Sequence, residues 1–212
     1  HEAQHGNIAK KTSSFFWLND LIGYTSLIPI ALPYRLAQAT HLLHHSFTND
    51  PIKDPDYGVK TSSFLKALWV NLIFNRQRDL PYFDFLEESS TKKKILMEAL
   101  ITRVSYWLIL ISFVWAGYGI EVTAIWWLPR LIGSAYIQMT LSWAPHHPME
   151  ERGRYRDTRS FKAIIGTYLT LGMEYHIIHH LHPSIPLNLN PAAYRALKPI
   201  LEERNCCLDN NL

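Results

Sequence analysis

Four histidines fall within seven residues of the stretch EYHIIHHLHP: His176, His179, His180 and His182. They belong to a wider pattern. The chain holds eleven histidines, and each lies in one of four clusters: HEAQH (His1, His5), HLLHH (His41, His44, His45), PHHP (His146, His147) and HIIHHLH. A core rarely buries an imidazole without a partner, so clustering on this scale points to metal ligation. Spacing gives the pattern geometry. His1 and His5 are i and i+4, while His41, His44, His45 and His176, His179, His180 are each i, i+3, i+4. On a helix such positions share one face. His182 falls off that face, and Pro183 disfavours helical backbone there. His182 is therefore read as structural, or as a hydrogen-bonding neighbour of the ligands.

Neutral nitrogen donors, with no thiolates and few carboxylates, suit zinc, copper or iron. A closed structural zinc site takes four ligands, so eight or nine histidines exceed one site, and two metals sharing them is the economical reading. Soluble di-iron carboxylate bundles need paired Glu-x-x-His motifs, and only Glu2 to His5 has that spacing. What remains is an all-histidine di-iron centre at a membrane surface, whose natural chemistry is activation of dioxygen. Two rivals are weighed against it. HEAQH matches the H-E-x-x-H helix of zinc peptidases, with Glu2 as general base, but a peptidase has no use for the other histidines. A metal transporter or store would carry polar residues through its spans, and these spans have few. Glu174, Tyr175, Asp50, Asp54 and Asp56 are candidates to hydrogen-bond the ligand imidazoles and fix their tautomers. For the three aspartates, turn chemistry in a Pro-rich loop is the competing reading.

The elements that must carry these residues are apolar. Val104 to Ile120 and Leu131 to Ala144 are uncharged, and with their flanking aromatics each approaches the roughly 20 residues that span a bilayer core. Trp126 and Trp127 fit an interfacial belt, with Arg130 in snorkelling reach. A short link around 119–122 makes the pair a transmembrane helical hairpin. Leu21 to Tyr34, interrupted by Pro29 and Pro33, reads as re-entrant or interfacial. Phe64 to Phe74 reads as an interfacial amphipathic helix and Ala163 to Tyr175 as another helix. Asn190 and Pro191 read as N-cap and first residue of a last helix through Glu203. The expected fold is a single all-α integral membrane domain over 1–212, with cytoplasmic and interfacial helices capping the histidine site.

Charge orients it. Of 21 Lys and Arg, all but Arg103 and Arg130 lie outside the hairpin, including Lys92, Lys93, Lys94, Arg152, Arg154, Arg156 and Arg159. The positive-inside tendency then puts everything except the hairpin tip on the cytoplasmic side, where all four clusters can converge. The formal charge of +3 is too mild to suggest nucleic acid, whereas 13% aromatic residues lean towards membrane or ligand contact. Adjacent Cys206 and Cys207 offer neither a disulfide framework nor a thiolate metal site. Because HEAQH opens the chain, further apolar sequence is expected upstream of His1.

HEAQH, HLLHH and HIIHH resemble the three histidine boxes of the membrane fatty acid desaturase and hydroxylase superfamily, in order and in gaps. HHSFTNDPIKDPDYG, APHHPMEERGRYRDTR, YHIIHHLHPSIP and PAAYRALKPILEERNC resemble its desaturase-like β-carotene hydroxylases and their ketolase relatives most. The resemblance implies a di-iron oxygenase that uses dioxygen and draws two electrons from a donor protein of the ferredoxin or cytochrome b5 type. It implies His1, His5, His41, His44, His45, His146, His176, His179 and His180 as iron ligands, and two membrane helices upstream of the first box. His146 matches the family's extra histidine; His147 stands where relatives often carry arginine, and His182 where they often carry an aromatic residue. The expected activity is hydroxylation of a β-carotene-type ring, with acyl-lipid desaturation or carotenoid ketolation on the same centre as alternatives. The expected partners are a lipophilic substrate (carotenoid or acyl chain), membrane lipid and the electron donor. The basic stretches suit either an acidic carrier or anionic headgroups.

Overall fold

The computed structural model describes residues 1–73, 89–163 and 166–210. HEAQH is a 3-10 turn, Glu2–His5, rather than the expected α-helical turn; it ends at Gly6, whose φ of 73° is left-handed. Helix α1, Leu18–Leu27, is followed by a turn in which Ala31 has a φ of 53°, and α2, Tyr34–Phe47, starts directly after Pro33. The ring of Tyr34 lies where a side chain at Gly23 would stand, so α1 and α2 touch through that glycine. The Tyr34 hydroxyl donates to the Ala3 carbonyl at 3.0 Å, tying the first histidine turn to the second histidine helix. Helix α3 spans Phe64–Ile73; Phe74, the last residue of the expected helix, lies outside the described residues.

Helix α4 runs over Ser90–Trp115, with Ser89 as N-cap accepting from the Lys92 amide. It has 26 residues, with a mean hydropathy of 1.6 and only 17% burial across its most apolar window. Among the described residues it is the one helix long and apolar enough to cross a membrane. The chain turns at 116–118 and returns as a helical run over 119–146. That run comprises α5 (Gly119–Val122), a π turn (Thr123–Trp127), α6 (Leu128–Ile137), a second π turn (Gln138–Trp143) and α7 (Ala144–His146). Trp126 packs edge-on against Tyr106 of α4 at 5.3 Å. Arg130 lies over the same ring and donates to the Ile30 carbonyl at 2.9 Å, so it supports the bend after α1. Trp126 Nε1 caps the neighbouring Pro29 carbonyl at 2.8 Å. The proline-broken segment 28–33 is thus supported by the return run.

Two expectations need correction. The single helix over Ala163 to Tyr175 is broken: residues 164–165 lie outside the described residues, and Gly166, Leu171 and Gly172 take φ of 80°, 56° and 79°. Only α8, Thr167–Thr170, and a 3-10 turn, Met173–Tyr175, remain. A Cβ on Gly172 would stand 3.2 Å from the Leu187 carbonyl, so backbone approach there needs glycine. The fold is also not purely α. Strand β1, Arg159–Phe161, pairs in parallel with β2, Cys207–Asn210, Arg159 opposite Cys207. Residues 158–161 are all buried, and buried extended amides need a hydrogen-bonding partner; the tail supplies it. Arg159, one of the basic residues outside the hairpin, is only 2% exposed.

Helix α9, His176–Leu181, packs Ile177, Ile178 and Leu181 against Tyr194 and Leu201 of α10, Asn190–Glu203. Asn190 is the first residue of α10 rather than its cap, a one-residue shift of the kind helix ends commonly show.

Candidate metal centre

Nine histidines converge from the Glu2–His5 turn, α2, α7 and α9. Eight of them form two sets whose ligand atoms lie within 4.8 Å of one another: His1, His5, His41 and His179 in the first, and His44, His146, His176 and His180 in the second. The ninth, His45, joins the first set through its Nε2, 3.2 Å from His41 Nε2 and 2.9 Å from His179 Nε2, while its ring lies 4.2 Å from that of His180. It stands between the two sets.

Helix geometry explains the division. At 100° per residue, i and i+4 are about 40° apart, whereas i+3 lies about 60° to the other side. On α2 the pair His41 and His45 goes to the first set and the i+3 residue His44 to the second. On α9 the pair His176 and His180 goes to the second set and the i+3 residue His179 to the first. The two H-x-x-H-H boxes therefore exchange their middle histidines.

The ring nitrogens fit a cation. Nε2 of His5 and His41 approach to 2.7 Å, and Nε2 of His44 and His146 to 3.2 Å. Ligands about 2.1 Å from one ion at right angles stand about 3.0 Å apart, which is this spacing. Nε2 of His1, His176 and His180 is buried without a hydrogen-bond partner, and such lone pairs are costly unless something positive sits among them. Burial, then the neighbouring imidazoles, hold His41, His146, His176, His179 and His180 far below the ordinary histidine pKa. Burial likewise lowers His5 to about 4 and His45 to about 2. These seven rings are neutral at pH 7, the form that binds metal.

The opposite nitrogens are held from behind. His44 Nδ1 lies 2.8 Å from Asp54 Oδ1, His1 Nδ1 3.4 Å from Glu2, and His146 Nδ1 3.4 Å from the Asp157 carbonyl. His176 Nδ1 meets Met173 Sδ at 3.2 Å and His180 Nδ1 meets Thr48 Oγ1 at 3.4 Å. Of the five candidates for this role, Asp54 fills it. Asp50 caps the amides of Ile52 and Lys53 and pairs with Arg152, which is turn chemistry. Asp56 accepts from Ser142 at 2.9 Å, Glu174 pairs with Thr170, and Tyr175 packs on Tyr194. Thr48, Met173 and Asp157 were not foreseen: a backbone carbonyl leaves no mark in a sequence, and thioether and hydroxyl neighbours carry no motif.

His182 is exposed and past the end of α9, and His147 stacks on Trp143 at 4.7 Å. Neither joins a set. Glu2 turns away from the cluster centre: Oε2 accepts from the Leu187 amide at 3.3 Å and from Asn7 at 3.5 Å. The carboxylate that a peptidase would use as base is a tether here. A cavity of about 350 Å³ opens on His44 and His146, lined also by Asp56, Lys60, Ser142 and Trp143. A second, of about 710 Å³, reaches His45 and His180 between Thr48, Arg152 and Arg154.

Among the described residues, one membrane-length helix stands beside nine histidines gathered around two nitrogen-lined sets, each of which could hold a metal ion. A sequence profile of the fatty acid desaturase family matches residues 1–207, and the chain belongs to that family. It is similar to the dihydrorhizobitoxine desaturase of Bradyrhizobium elkanii, 26% identical over 88% of this chain and 59% of that protein. It is also similar to the sn-1 oleoyl-lipid 12-desaturase of Picosynechococcus sp., 23% identical over 93% of this chain and 63% of that one. The sn-1 acyl-lipid omega-3 desaturase (ferredoxin) of Nostoc sp. is 28% identical over 96% and 63%. The chain thus spans about three fifths of the length of the curated relatives it matches. No solved structure matches it. These relatives are named as desaturases, so the expectation of a carotenoid hydroxylase finds no support among them, and the acyl-desaturating alternative is the better supported.

Proposed function

We propose that this chain is the catalytic part of a membrane-bound, non-haem di-iron desaturase that removes two hydrogens from the acyl chain of a lipid. The observation that carries the reading is the inward convergence of imidazole Nε2 atoms at 2.7–3.2 Å in two sets, in a chain whose matched relatives are named as desaturases. His1, His5, His41, His45 and His179 would hold one iron, and His44, His146, His176 and His180 the other. Iron so held supplies activation of dioxygen and oxidation of an unactivated C–H bond.

The protein's own part is to keep these rings oriented and to hold seven of them neutral by burial. Asp54, the Asp157 carbonyl, Met173 and Thr48 hold Nδ1 of the second set, which turns each Nε2 towards the centre. That set has one histidine fewer than the first, and the cavity beside His44 and His146 gives it the room for dioxygen and an approaching chain. In net terms, the reaction takes one dioxygen, two electrons and two protons, and releases an alkene and two waters. The electrons come from a donor protein of the ferredoxin or cytochrome b5 type. Val104 to Ile120 and Leu131 to Ala144 act as a transmembrane hairpin, with the histidine site, His146 included, beyond it on the cytoplasmic side.

Expression of the full-length protein in cells that make both β-carotene and saturated acyl lipids tests the reading. New double bonds in acyl chains, lost with His179→Ala, are the expected result. Hydroxylated carotenoids beside an unchanged acyl profile would overturn it in favour of the hydroxylase.

A further inference from the structure

We infer that Arg159 is a positioning residue for His146 and, through it, for the four-histidine set; this rests on the two-metal reading above. The last turn of the return run lacks a donor. The Ala144 carbonyl would normally accept from the amide four residues on, but that residue is Pro148, which has no N–H. The nearby amides are committed: His147 N donates to Trp143 O at 2.8 Å and Met149 N to His146 O at 2.7 Å. Arg159 fills the gap. Its Nε and Nη2 both donate to the Ala144 carbonyl, at 3.1 and 3.0 Å. Burying a guanidinium is costly, and two hydrogen bonds to a carbonyl left without its helical donor offset part of that cost.

The same stretch holds the imidazole. Two residues before Arg159, the Asp157 carbonyl lies 3.4 Å from His146 Nδ1, and His146 Nε2 then faces His44 Nε2 at 3.2 Å. Asn49 Nδ2 donates to that carbonyl at 3.0 Å, which fixes the strand entry against the end of α2. Pairing with the tail anchors the strand itself: Ser160 Oγ accepts from the Asp209 amide at 2.8 Å and meets the Tyr194 hydroxyl at 3.1 Å. Residues 157–159 thus hold the His146 ring through the Asp157 carbonyl and the backbone two residues before His146, at Ala144, through Arg159. Among the described residues, this histidine belongs to the second set and not to the first.

The test is a titration of the metal-free full-length protein in detergent with cobalt(II), whose visible bands report ligand geometry, alongside metal counting and far-UV circular dichroism. Wild type should take two metals per chain. Arg159→Met should keep its helical signal and one metal at wild-type affinity, with the other weakened about 10- to 100-fold, the usual effect of removing support behind a ligand. His146→Ala should leave the same residual spectrum, and Arg159→Lys, which keeps one donor, should restore part of the loss. Two metals at unchanged affinity, or equal weakening of both, would overturn the inference. Should Arg159→Met fail to fold, Arg159→Lys carries the test: weakening confined to one metal supports the inference, and no weakening or uniform weakening refutes it. A wild-type protein that binds no metal would instead fault the two-metal reading.

Discussion

Replacing Asp54 by asparagine probes the centre with a change in the chemistry of one side-chain end and almost no change of shape. Asp54 is 3% exposed. Its Oδ1 faces His44 Nδ1 at 2.8 Å and accepts from the Asp56 amide at 2.8 Å, while Oδ2 accepts from the Asn49 amide at 2.8 Å. An ionised carboxylate satisfies all three because it only accepts. The carboxamide introduced by Asp54→Asn would keep one oxygen, so its NH2 group must face either the Asn49 amide or the pair formed by His44 and the Asp56 amide. If it faces His44, the ring relieves the donor–donor clash by moving its proton to Nε2, and Nε2 can then no longer bind metal. If it faces Asn49, a buried amide is left unpaired, at about 1–3 kcal/mol.

Loss of a carboxylate behind a metal-bound imidazole typically weakens the metal about 10- to 100-fold, or roughly 1.4–2.7 kcal/mol. Asp54→Asn should therefore lower the affinity of one metal by that factor and leave the other near its wild-type value, because His44 lies in the second set alone. Metal titration followed by elemental analysis reads the affinity, and a thermal melt of the metal-free form reads the stability term separately. Two metals bound within about twofold of wild-type affinity would refute the tautomer reasoning. Equal loss of both would refute the separation into two sets.

Glu2→Gln should retain both metals and most activity, since Glu2 tethers Leu187 and Asn7, whereas His5→Ala should lose a metal; the reverse order in metal counts and turnover would restore the peptidase reading. Gly172→Ala should destabilise the protein by about 1–3 kcal/mol, because it forces a side chain into a φ of 79° against the Leu187 carbonyl; a melt indistinguishable from wild type would contradict this. Acid should destabilise the metal-free protein as well. With His5 lowered to about 4 and His45 to about 2, the unfolded chain binds protons below about pH 6.5 while the folded one does not. Stability should therefore be flat above that pH and fall by up to about 1.4 kcal/mol per pH unit for each such histidine below it. Denaturant midpoints across the acid side of neutrality check this, and a constant midpoint would argue against buried neutral rings.

A metal ligand must be a particular side chain, so the eleven histidines stand out in the sequence by type, and spacing and the family resemblance set nine of them apart. Spacing placed His41, His44 and His45 on one face, and likewise His176, His179 and His180, but a face about 100° wide can serve two ions. The angle within it decides, with i and i+4 turned together and i+3 turned away. The exchange of His44 and His179 between boxes follows from these angles. Among the five side chains expected behind the rings, only Asp54 takes that place, while Glu2, expected only as a peptidase base, stands 3.4 Å behind His1. At Asp157 the support is a backbone carbonyl, and at Ala144 it is a missing amide that shows only through Pro148 and is answered by Arg159, fifteen residues away. The β1–β2 pairing escaped for a related reason. All of 158–161 is buried, so no polar–apolar alternation marks it, and its partner is the tail, almost fifty residues on. Ligand identity is local in sequence; the orientation of a ligand is enforced by backbone groups that the chain brings in from afar. A substitution such as Arg159→Met, remote from the histidine boxes in the sequence, can therefore act on one metal set while leaving all nine imidazoles in place.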